Sequence, residues 1–338
     1  MTGRGDVSIT PLDLDGAGEL DDFYQPHRQA LLAERPWDPP ACRTAFLGQL
    51  RRPKQGTRSL AWGARYDGHP AGVLAVGMTD GAKGADRADI VHLSVHPDVR
   101  RRGIGTALLS SAAQHFADTQ VRAFDAFVVG SETAPEPGRE FAQATGAVSG
   151  ARYQRLTLHL DARAMDAHKI PPGYAILRWR GGVPPEHVGA LAQLSASLAE
   201  AEATRSTSER AVEQADADRT DALYRTLRVW GFRMYVSAVR HVATGELVGY
   251  SSLGLAASHR RHATQWDTIV RPSHRGHGLG AALKQANMSW AGEHEPELAT
   301  VTTWNAVGND AMVRVNEAMG FREDARGALW EWDVAGLA

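Results

Sequence analysis

The chain has 338 residues, of which 43% are hydrophobic and 22% charged, with a formal net charge of -2. This length predicts two domains, and the balanced charge excludes a nucleic-acid-binding arm, an acidic tail and extensive disorder. The single cysteine, Cys42, excludes an intrachain disulfide framework and fits a reducing compartment. No apolar run approaches the roughly 18 residues of a membrane span, and the start lacks a signal-peptide pattern. We therefore expect a cytoplasmic monomer or homodimer that binds neither nucleic acid nor a membrane.

The first half alternates helical and extended patterns. Apolar residues between 16 and 50 recur at spacings of three and four, which predicts two helices, and an amphipathic helix is predicted from Ile104. Alternating or β-branched runs predict strands at residues 59–65, 70–78, 89–95, 124–129 and 156–160. The strand at 156–160 is expected to close the first half.

A second copy of this order begins near residue 174. Residues 161–172 are predicted to form a linker, which places the boundary near 165 and gives domains 1–165 and 166–338. Helices are predicted at 184–198 and 208–229, and strands at 233–240, 246–255, 265–270 and 299–305. Each half thus repeats the order helix, helix, hairpin, strand, loop, helix, strand, helix.

One stretch occurs in both halves between a predicted strand and a predicted helix. Val95–Gly105 and Val270–Gly280 share the pattern V-x-P-x-x-R-x-x-G-x-G. The start of a helix exposes backbone N–H groups and the positive end of its dipole, and glycines let this backbone approach a bulky anion. The pattern therefore predicts a pyrophosphate-binding loop. It matches neither the dinucleotide-binding fingerprint G-x-G-x-x-G nor a Walker loop.

The residues expected to bind this pyrophosphate lie in the loop and the first turn of the helix. Arg100 adds positive charge, whereas Arg101 and Arg102 either contact a more remote phosphate or are solvated. The predicted binding residues of the first half are Val95, Arg100, Arg101, Arg102, Gly103, Ile104, Gly105 and Thr106. Those of the second half are Val270, Arg275, Gly276, His277, Gly278, Leu279, Gly280 and Ala281.

A strand ending in V-x-P, then R-x-x-G-x-G, then an amphipathic helix resembles the coenzyme A loop of the GNAT (Gcn5-related) acetyltransferases. Two copies of it resemble the tandem GNAT proteins of actinobacterial secondary metabolism. The resemblance implies an α+β fold of two tandem GNAT domains, each a mixed, mostly antiparallel sheet that is flanked by helices and splits at the coenzyme A strand. It also implies acetyl-CoA or another acyl-CoA as the donor and a small-molecule amine as the acceptor, with no metal ion.

The second half carries the fuller family motif, which reads T-x-N-x-x-x-N from Thr303 to Asn309. The resemblance places the amides of Asn305 and Asn309 near the pantetheine arm or the acceptor, although Asn309 is equally suited to be a helix N-cap. Related enzymes often use a tyrosine to protonate the departing thiolate. Ala142 and Asn316 occupy that position here, so the usual acid is absent from both halves.

Asp267 is the leading candidate for a general base because its strand runs past the expected thioester. One residue of strand register decides whether it faces the cleft, and an ion pair with Arg260, Arg261 or another surface arginine is the alternative. Weaker candidates on the preceding hairpin are Tyr235, Glu246 and Tyr250. In the first half, His92 is either a base or a half-buried strand histidine.

The resemblance implies transfer of an acetyl group from acetyl-CoA to an amine of a small metabolite. The chemistry is expected in the C-terminal domain, with a structural acetyl-CoA in the N-terminal domain. The alternative is a non-catalytic acyl-CoA-binding or regulatory protein, which the two missing tyrosines favour and the Asn-rich motif opposes.

Overall fold

The computed structural model describes residues 5–16, 18–80, 85–130, 136–160, 170–203 and 216–337. The chain forms two compact units, unit 1 from Met1–Gly150 with Arg326–Ala338 and unit 2 from Ala151–Ala325. The domain boundary predicted near residue 165 lies outside the described residues and stays a prediction. No helix in the described ranges combines the length and the apolar character needed to cross a bilayer.

The strands of unit 1 are β1 (Val7–Pro11), β2 (Thr57–Tyr66), β3 (His69–Thr79), β4 (Arg87–Val95), β5 (Ala123–Gly130) and most of the chain's last strand, β12 (Arg322–Asp333). Its helices are α1 (Glu19–Asp22), α2 (Tyr24–Glu34), α3 (Arg43–Arg51), α4 (Ile104–Phe116) and α5 (Pro137–Ala144). The strand order is β1-β2-β3-β4-β5-β12, antiparallel throughout except for the parallel pair β4 and β5. The one-turn helix α1 is an addition to the two helices predicted before residue 50.

The sheet of unit 1 is covered by helices on both faces, as the alternation along β3 shows. Leu74 and Val76 belong to the core cluster that includes α4, whereas Val73 and Ala75 belong to the cluster that includes α2 and α3. Successive side chains of a strand point to opposite faces, so β3 is apolar at every position of this run because both of its faces are buried.

The strands of unit 2 are β6 (Val148–His159), β7 (Tyr174–Arg180), β8 (Arg233–His241), β9 (Leu247–Leu255), β10 (His262–Val270) and β11 (Thr300–Ala306). Its helices are α6 (Pro185–Ala203), α7 (Ala217–Val229), α8 (Leu279–His294) and α9 (Asp310–Ala318). The order is β6-β11-β10-β9-β8-β7, and only β10 and β11 are parallel among the described pairs. The start of the predicted helix at 208–229 lies partly outside the described residues.

Both units confirm the predicted α+β class, a mixed and mostly antiparallel sheet with flanking helices. One detail of the prediction is wrong, since residues 156–160 do not close the first half. They belong to β6, which pairs with β11 in unit 2. Leu156 and Leu158 are buried there beside Phe321, whereas unit 1 is completed by residues 326–333 of β12, which pair with β5.

The internal repeat extends to single packing positions. Gly72 of β3 pairs with Val95, and Gly249 of β9 pairs with Val270. A Cβ atom on Gly249 would lie 2.6 Å from the carbonyl oxygen of Ile269, and one on Gly72 would lie 2.7 Å from the carbonyl oxygen of Ser94. Real Cβ atoms do not approach a backbone oxygen this closely, so each strand pair requires glycine at this position.

We expect Gly249→Ala to lower the free energy of unfolding by roughly 1–3 kcal/mol, because the added methyl group forces β9 and β10 apart. Gly189→Ala is the control, since this glycine lies in α6 and a methyl group added to it would meet nothing within 4 Å. It should raise stability by about 0.5–1 kcal/mol through better helix propensity. Denaturant titration of both variants tests this, and equal stability of the two would contradict the packing explanation.

Candidate active site

In unit 2 the sheet divides between its two parallel strands. β10 pairs with β11 from His262 to Gln265, opposite Thr300 to Thr303, and no later rung joins them in the described part of the chain. β10 stays paired with β9 as far as Val270, and β11 stays paired with β6 as far as Ala306. Each strand therefore follows its outer neighbour, and an opening forms between the two free arms.

The sheet of unit 1 divides in the same way. β4 pairs with β5 only from Arg87 to Asp89, opposite Ala123 to Asp125, in the residues described. β4 continues along β3 to Val95, and β5 continues along β12 to Gly130. The split of the sheet that the family resemblance implied is thus present in this unit too, between β4 and β5.

The repeated stretch lies at the end of each separated strand and has the predicted strand-loop-helix geometry. In unit 2, β10 ends at Val270, a 3-10 turn spans Pro272–His274, and α8 begins at Leu279. Gly276 and Gly278 have φ values of 82° and 72°, which L-residues rarely adopt, and open space surrounds both. The first N–H groups of α8 have no partner within the helix, so this terminus suits an anion.

The corresponding loop of unit 1 contains one fewer glycine. α4 begins at Ile104 after Gly103, whose φ is 83°. Arg101 takes the place of Gly276 in the pattern and has a φ of 61°, so a non-glycine residue holds the left-handed conformation here. Gly105 is tightly packed, because a Cβ atom there would lie 3.0 Å from the ring of Phe141.

The arginine shared by both loops anchors the loop to its own strand. Arg100 Nε donates to the carbonyl oxygen of Val95 at 3.0 Å, and Arg275 Nε donates to that of Val270 at 3.0 Å. Arg100 also pairs with Glu34 at 2.8 Å. Both side chains thus have a structural role, and their contact with a phosphate stays a prediction.

The side chains of Arg101, Arg102 and His277 are exposed. Arg102 donates to the hydroxyl of Tyr66 and stacks over its ring at 4.9 Å. The Nδ1 atom of His277 lies 3.0 Å from the carbonyl oxygen of Arg275. Of the predicted binding residues, the structure brings together Gly276, His277, Gly278, Leu279, Gly280 and Ala281 at one helix terminus, and Arg101, Arg102, Gly103, Ile104, Gly105 and Thr106 at the other.

Asp267 lies on the free arm of β10, next to a buried phenol. Tyr250 donates to Asp267 Oδ2 at 3.1 Å, and its hydroxyl also lies 2.6 Å from Ser195 Oγ. Burial and then the neighbouring Asp267 and Tyr224 raise the pKa of Tyr250 well above 10. Tyr250 is therefore a neutral donor that holds an exposed carboxylate at the split.

A β-bulge accounts for the orientation of Asp267. Gln265 pairs with Leu253 but Thr268 pairs with Ser251, so Trp266 and Asp267 together face a single residue. The buried amide of Gln265 donates to the carbonyl oxygens of Ser252 at 2.7 Å and Asp267 at 3.2 Å, which supports the backbone of the bulge. The bulge therefore decides to which face of the sheet the Asp267 side chain points, a question that strand register alone left open.

Other predicted candidates have structural partners. Glu246 pairs with Arg271 at 3.5 Å, and Tyr235 donates to Glu295 at 2.7 Å. Arg260, one of the alternative partners of Asp267, pairs with Glu297 at 3.1 Å. Asn309 does occupy the N-cap position of α9, yet its side chain makes no capping hydrogen bond.

Asn305 joins a buried polar chain that sequence reasoning missed. Lys284 Nζ donates to Asn316 Oδ1 at 2.6 Å, and Asn316 Nδ2 donates to Asn305 Oδ1 at 3.2 Å. The sequence signal was a lysine among Leu283, Ala286 and other residues on the apolar side of α8. Burial lowers the pKa of Lys284 to about 7.

Unit 1 has a histidine at the strand position that corresponds to Asp267, three residues before the last valine of its strand. The ring of His92 lies 4.6 Å from that of His27, whose Nδ1 is 2.9 Å from Ser94 Oγ. The Nε2 atom of His92 is buried and has no hydrogen-bond partner among the described residues. Burial lowers the pKa of His92 to about 4 and that of His27 well below 6.5, so both rings are neutral at pH 7.

A family model described as the acetyltransferase (GNAT) family matches the chain twice, at residues 20–134 and 200–321. The chain belongs to the GNAT family. Both matches contain the split strand and the loop described above, and the second ends at Phe321. The protein is therefore an N-acetyltransferase of this family with two GNAT domains in tandem, as the sequence motifs predicted.

Solved GNAT structures agree with this architecture. The tandem GNAT protein from the clavulanic acid biosynthesis pathway is 28% identical, with a TM-score of 0.85 over 97% of this chain and 99% of the other. A GCN5-related N-acetyltransferase from Sphaerobacter thermophilus (16% identity, TM-score 0.65, covering 97% and 96%) and a GNAT-family acetyltransferase from Colwellia psychrerythraea (14%, 0.58, 96% and 100%) share the fold. A search of curated proteins found no match.

Proposed function

We propose that this GNAT protein transfers an acyl group, most simply acetyl, from an acyl-CoA to the amine of a small molecule, and that unit 2 performs the transfer. The observation that carries this proposal is the position of the Asp267 carboxylate, which Tyr250 holds on the free arm of β10 at 3.1 Å. The same strand leads directly into the glycine loop, so a proton acceptor and an anion-binding helix terminus flank one opening.

The residues of unit 2 suit an acyl-CoA. The open, positive-φ glycines before α8 leave room for a pyrophosphate beside the helix N-terminus, where Leu279, Gly280 and Ala281 present backbone N–H groups. The exposed His277 adds a further group near this terminus, and Val270 ends the arm that leads to it. When bound, an acyl-CoA supplies a thioester carbonyl that an amine attacks, with release of the coenzyme A thiol.

The chain's own residues provide the proton acceptor and the polar contacts. The Asp267 carboxylate accepts a proton from the incoming amine, and Tyr250 stabilises the carboxylate through its hydrogen bond. Asn305 and Asn309 offer amide groups at the end of the β11 arm, Asn305 buried and Asn309 partly exposed. Positioning by such groups lowers the entropy that the reaction loses when donor and acceptor meet.

We propose a second acyl-CoA in unit 1 with a structural role. Its loop has the same geometry, but the polar positions of unit 2 are apolar here, with Ala142 in place of Asn316 and Val128 in place of Asn305. His92 is the feature that favours chemistry in unit 1. The neutral state of its ring at pH 7 is compatible with a base.

Ala281→Glu is expected to abolish acetyl transfer, because a carboxylate in the first turn of α8 competes for the N–H groups that bind the pyrophosphate. The thermal midpoint should change little, since an acidic residue is favourable at this position of a helix. Thiol release from acetyl-CoA across a panel of amines is the measurement. Ala281→Gln, with the same length and no charge, is the matched control and should lose less than about tenfold.

Thr106→Glu makes the corresponding change in α4 of unit 1. We expect native mass spectrometry to show one acetyl-CoA fewer per chain, while thiol release persists. If Thr106→Glu abolishes thiol release and Ala281→Glu spares it, the chemistry belongs to unit 1. If no amine causes thiol release although acetyl-CoA is bound, the protein is a binding or regulatory member of the family.

A further inference from the structure

The chain of hydrogen bonds from Lys284 runs in one direction. An ammonium group only donates, so Asn316 must turn its Oδ1 atom to Lys284 and its Nδ2 atom to Asn305. Asn305 in turn presents Oδ1 to Asn316. Its Nδ2 atom is buried and is left with no hydrogen-bond partner in the part of the chain that the structure describes. Lys284, Asn316 and Asn305 are 1%, 0% and 5% exposed, respectively.

Unit 1 shows that the fold does not need this polar chain. Lys284 follows Gly278 by six residues, as Leu109 follows Gly103 (284−278 and 109−103). Asn316 precedes Gly320 by four residues, as Ala142 precedes Gly146 (320−316 and 146−142). Leu109 and Ala142 are completely buried, so apolar side chains fill the corresponding space without loss of the fold.

The third position follows from strand register. Thr300 pairs with His262 in unit 2, and Ala123 pairs with Arg87 in unit 1. Five residues beyond these lie Asn305 and Val128 (305−300 and 128−123). The polar set of unit 2 thus replaces the apolar set Leu109, Ala142 and Val128.

Keeping a buried lysine opposes folding, since the ammonium loses its hydration, and burial lowers the pKa of Lys284 to about 7. A buried donor without a partner carries a further penalty. A ligand with an acceptor atom removes that second penalty. Asn305 lies two residues beyond Thr303, the last rung between β11 and β10, and therefore on the arm where the sheet is open.

We propose that Lys284 is a positioning residue for the acyl-CoA: through Asn316 it orients the amide of Asn305, whose Nδ2 atom then donates to a carbonyl oxygen of the acyl-CoA. This inference rests on the proposed function of unit 2. It assigns Lys284 no contact with the acyl-CoA, and it explains why the usual tyrosine position is an asparagine, because Asn316 both accepts from the lysine and donates to Asn305.

The test is a double-mutant cycle on the Kd for acetyl-CoA, measured by calorimetry in the Thr106→Glu protein so that unit 2 alone binds. Loss of one buried hydrogen bond is expected to weaken binding about tenfold in Asn305→Ala and by about three- to tenfold in Lys284→Met. Because Lys284 acts through Asn305, adding Lys284→Met to Asn305→Ala should weaken binding by less than about twofold more. A lysine that only supports the packing of α8 would weaken binding equally in both backgrounds, which would overturn the proposal.

A triple variant, Lys284→Leu with Asn316→Ala and Asn305→Val, serves as a control for misfolding. It introduces the apolar residues that occupy the corresponding positions of unit 1. It should fold and bind acetyl-CoA as weakly as Asn305→Ala. Unchanged affinity in every variant overturns the role of Lys284 but leaves the proposed function intact. If the Thr106→Glu protein itself binds no acetyl-CoA, the proposed function fails and this inference fails with it.

Discussion

Replacing Asp267 with asparagine is expected to lower kcat for acetyl transfer by about 10²- to 10⁴-fold, the range that a general base contributes. The amide keeps the size of the side chain and can still accept a hydrogen bond from Tyr250, but it cannot take a proton from the amine. Steady-state thiol release with saturating acetyl-CoA measures the effect. KM for acetyl-CoA should change little, since the carboxylate acts on the acceptor.

Two further variants give this prediction its controls. Glu297→Gln removes an exposed carboxylate that pairs with Arg260 at 3.1 Å, and it should leave kcat within about twofold. Tyr250→Phe removes the hydrogen bond to Asp267 and retains the buried ring, so its loss should be smaller than that of Asp267→Asn. If Asp267→Asn keeps kcat within about threefold, Asp267 is not the base, and its bond to Tyr250 is structural.

The triple variant of Lys284, Asn316 and Asn305 is expected to raise the free energy of unfolding by roughly 2–4 kcal/mol at pH 7, although it binds acetyl-CoA poorly. The gain arises because the folded protein no longer has to bury the ammonium of Lys284 or release its proton. Part of it is offset by the lost hydrogen bond to Asn316. Urea titrations of the wild-type protein and the variant at several pH values measure the difference.

The sign of the pH dependence follows from Lys284 alone. Its pKa is about 7 in the folded protein and 10.5 for an ordinary lysine. Between these values the unfolded chain binds more protons, so the stability of the wild-type protein rises with pH relative to the variant. The advantage of the triple variant should therefore be greatest below pH 7 and small near pH 10.5. A constant advantage across this range would show that Lys284 is not a buried titrating group.

Features that depend on neighbouring residues were predictable from the sequence. The repeated V-x-P-x-x-R-x-x-G-x-G pattern predicted a strand, a loop and a helix, and both copies form them, because the glycines and the helix start act within about ten residues. The separation of the parallel strands followed from the family resemblance. Asp267 was predicted on the correct strand, but its position depends on a bulge that the amide of Gln265 supports.

Features that depend on distant partners were not predictable. Lys284 and Asn316 are 32 positions apart, and the sequence shows only a lysine within a helix and an asparagine in the place of a tyrosine. Arg100 was predicted to face a phosphate because of its charge, whereas the fold provides Glu34, 66 positions away, as its partner. The largest such case is the assignment of β6 to unit 2 and of most of β12 to unit 1. Each strand pairs with the sheet edge that lies beside it in the folded protein, and the sequence does not show which edge that is.

Because the end of β12 completes unit 1 and β6 belongs to unit 2, we expect unit 1 to finish folding only after unit 2 has been synthesised. Trp330 and Trp332 of β12 belong to the buried core of unit 1, beside Phe116 and Phe124. Residues 1–150 precede residues 151–325 in the chain, and residues 326–338, which complete the core of unit 1, follow them. The unit encoded first is thus the last to be finished, and a gene divided midway between the two copies would deprive each of a strand.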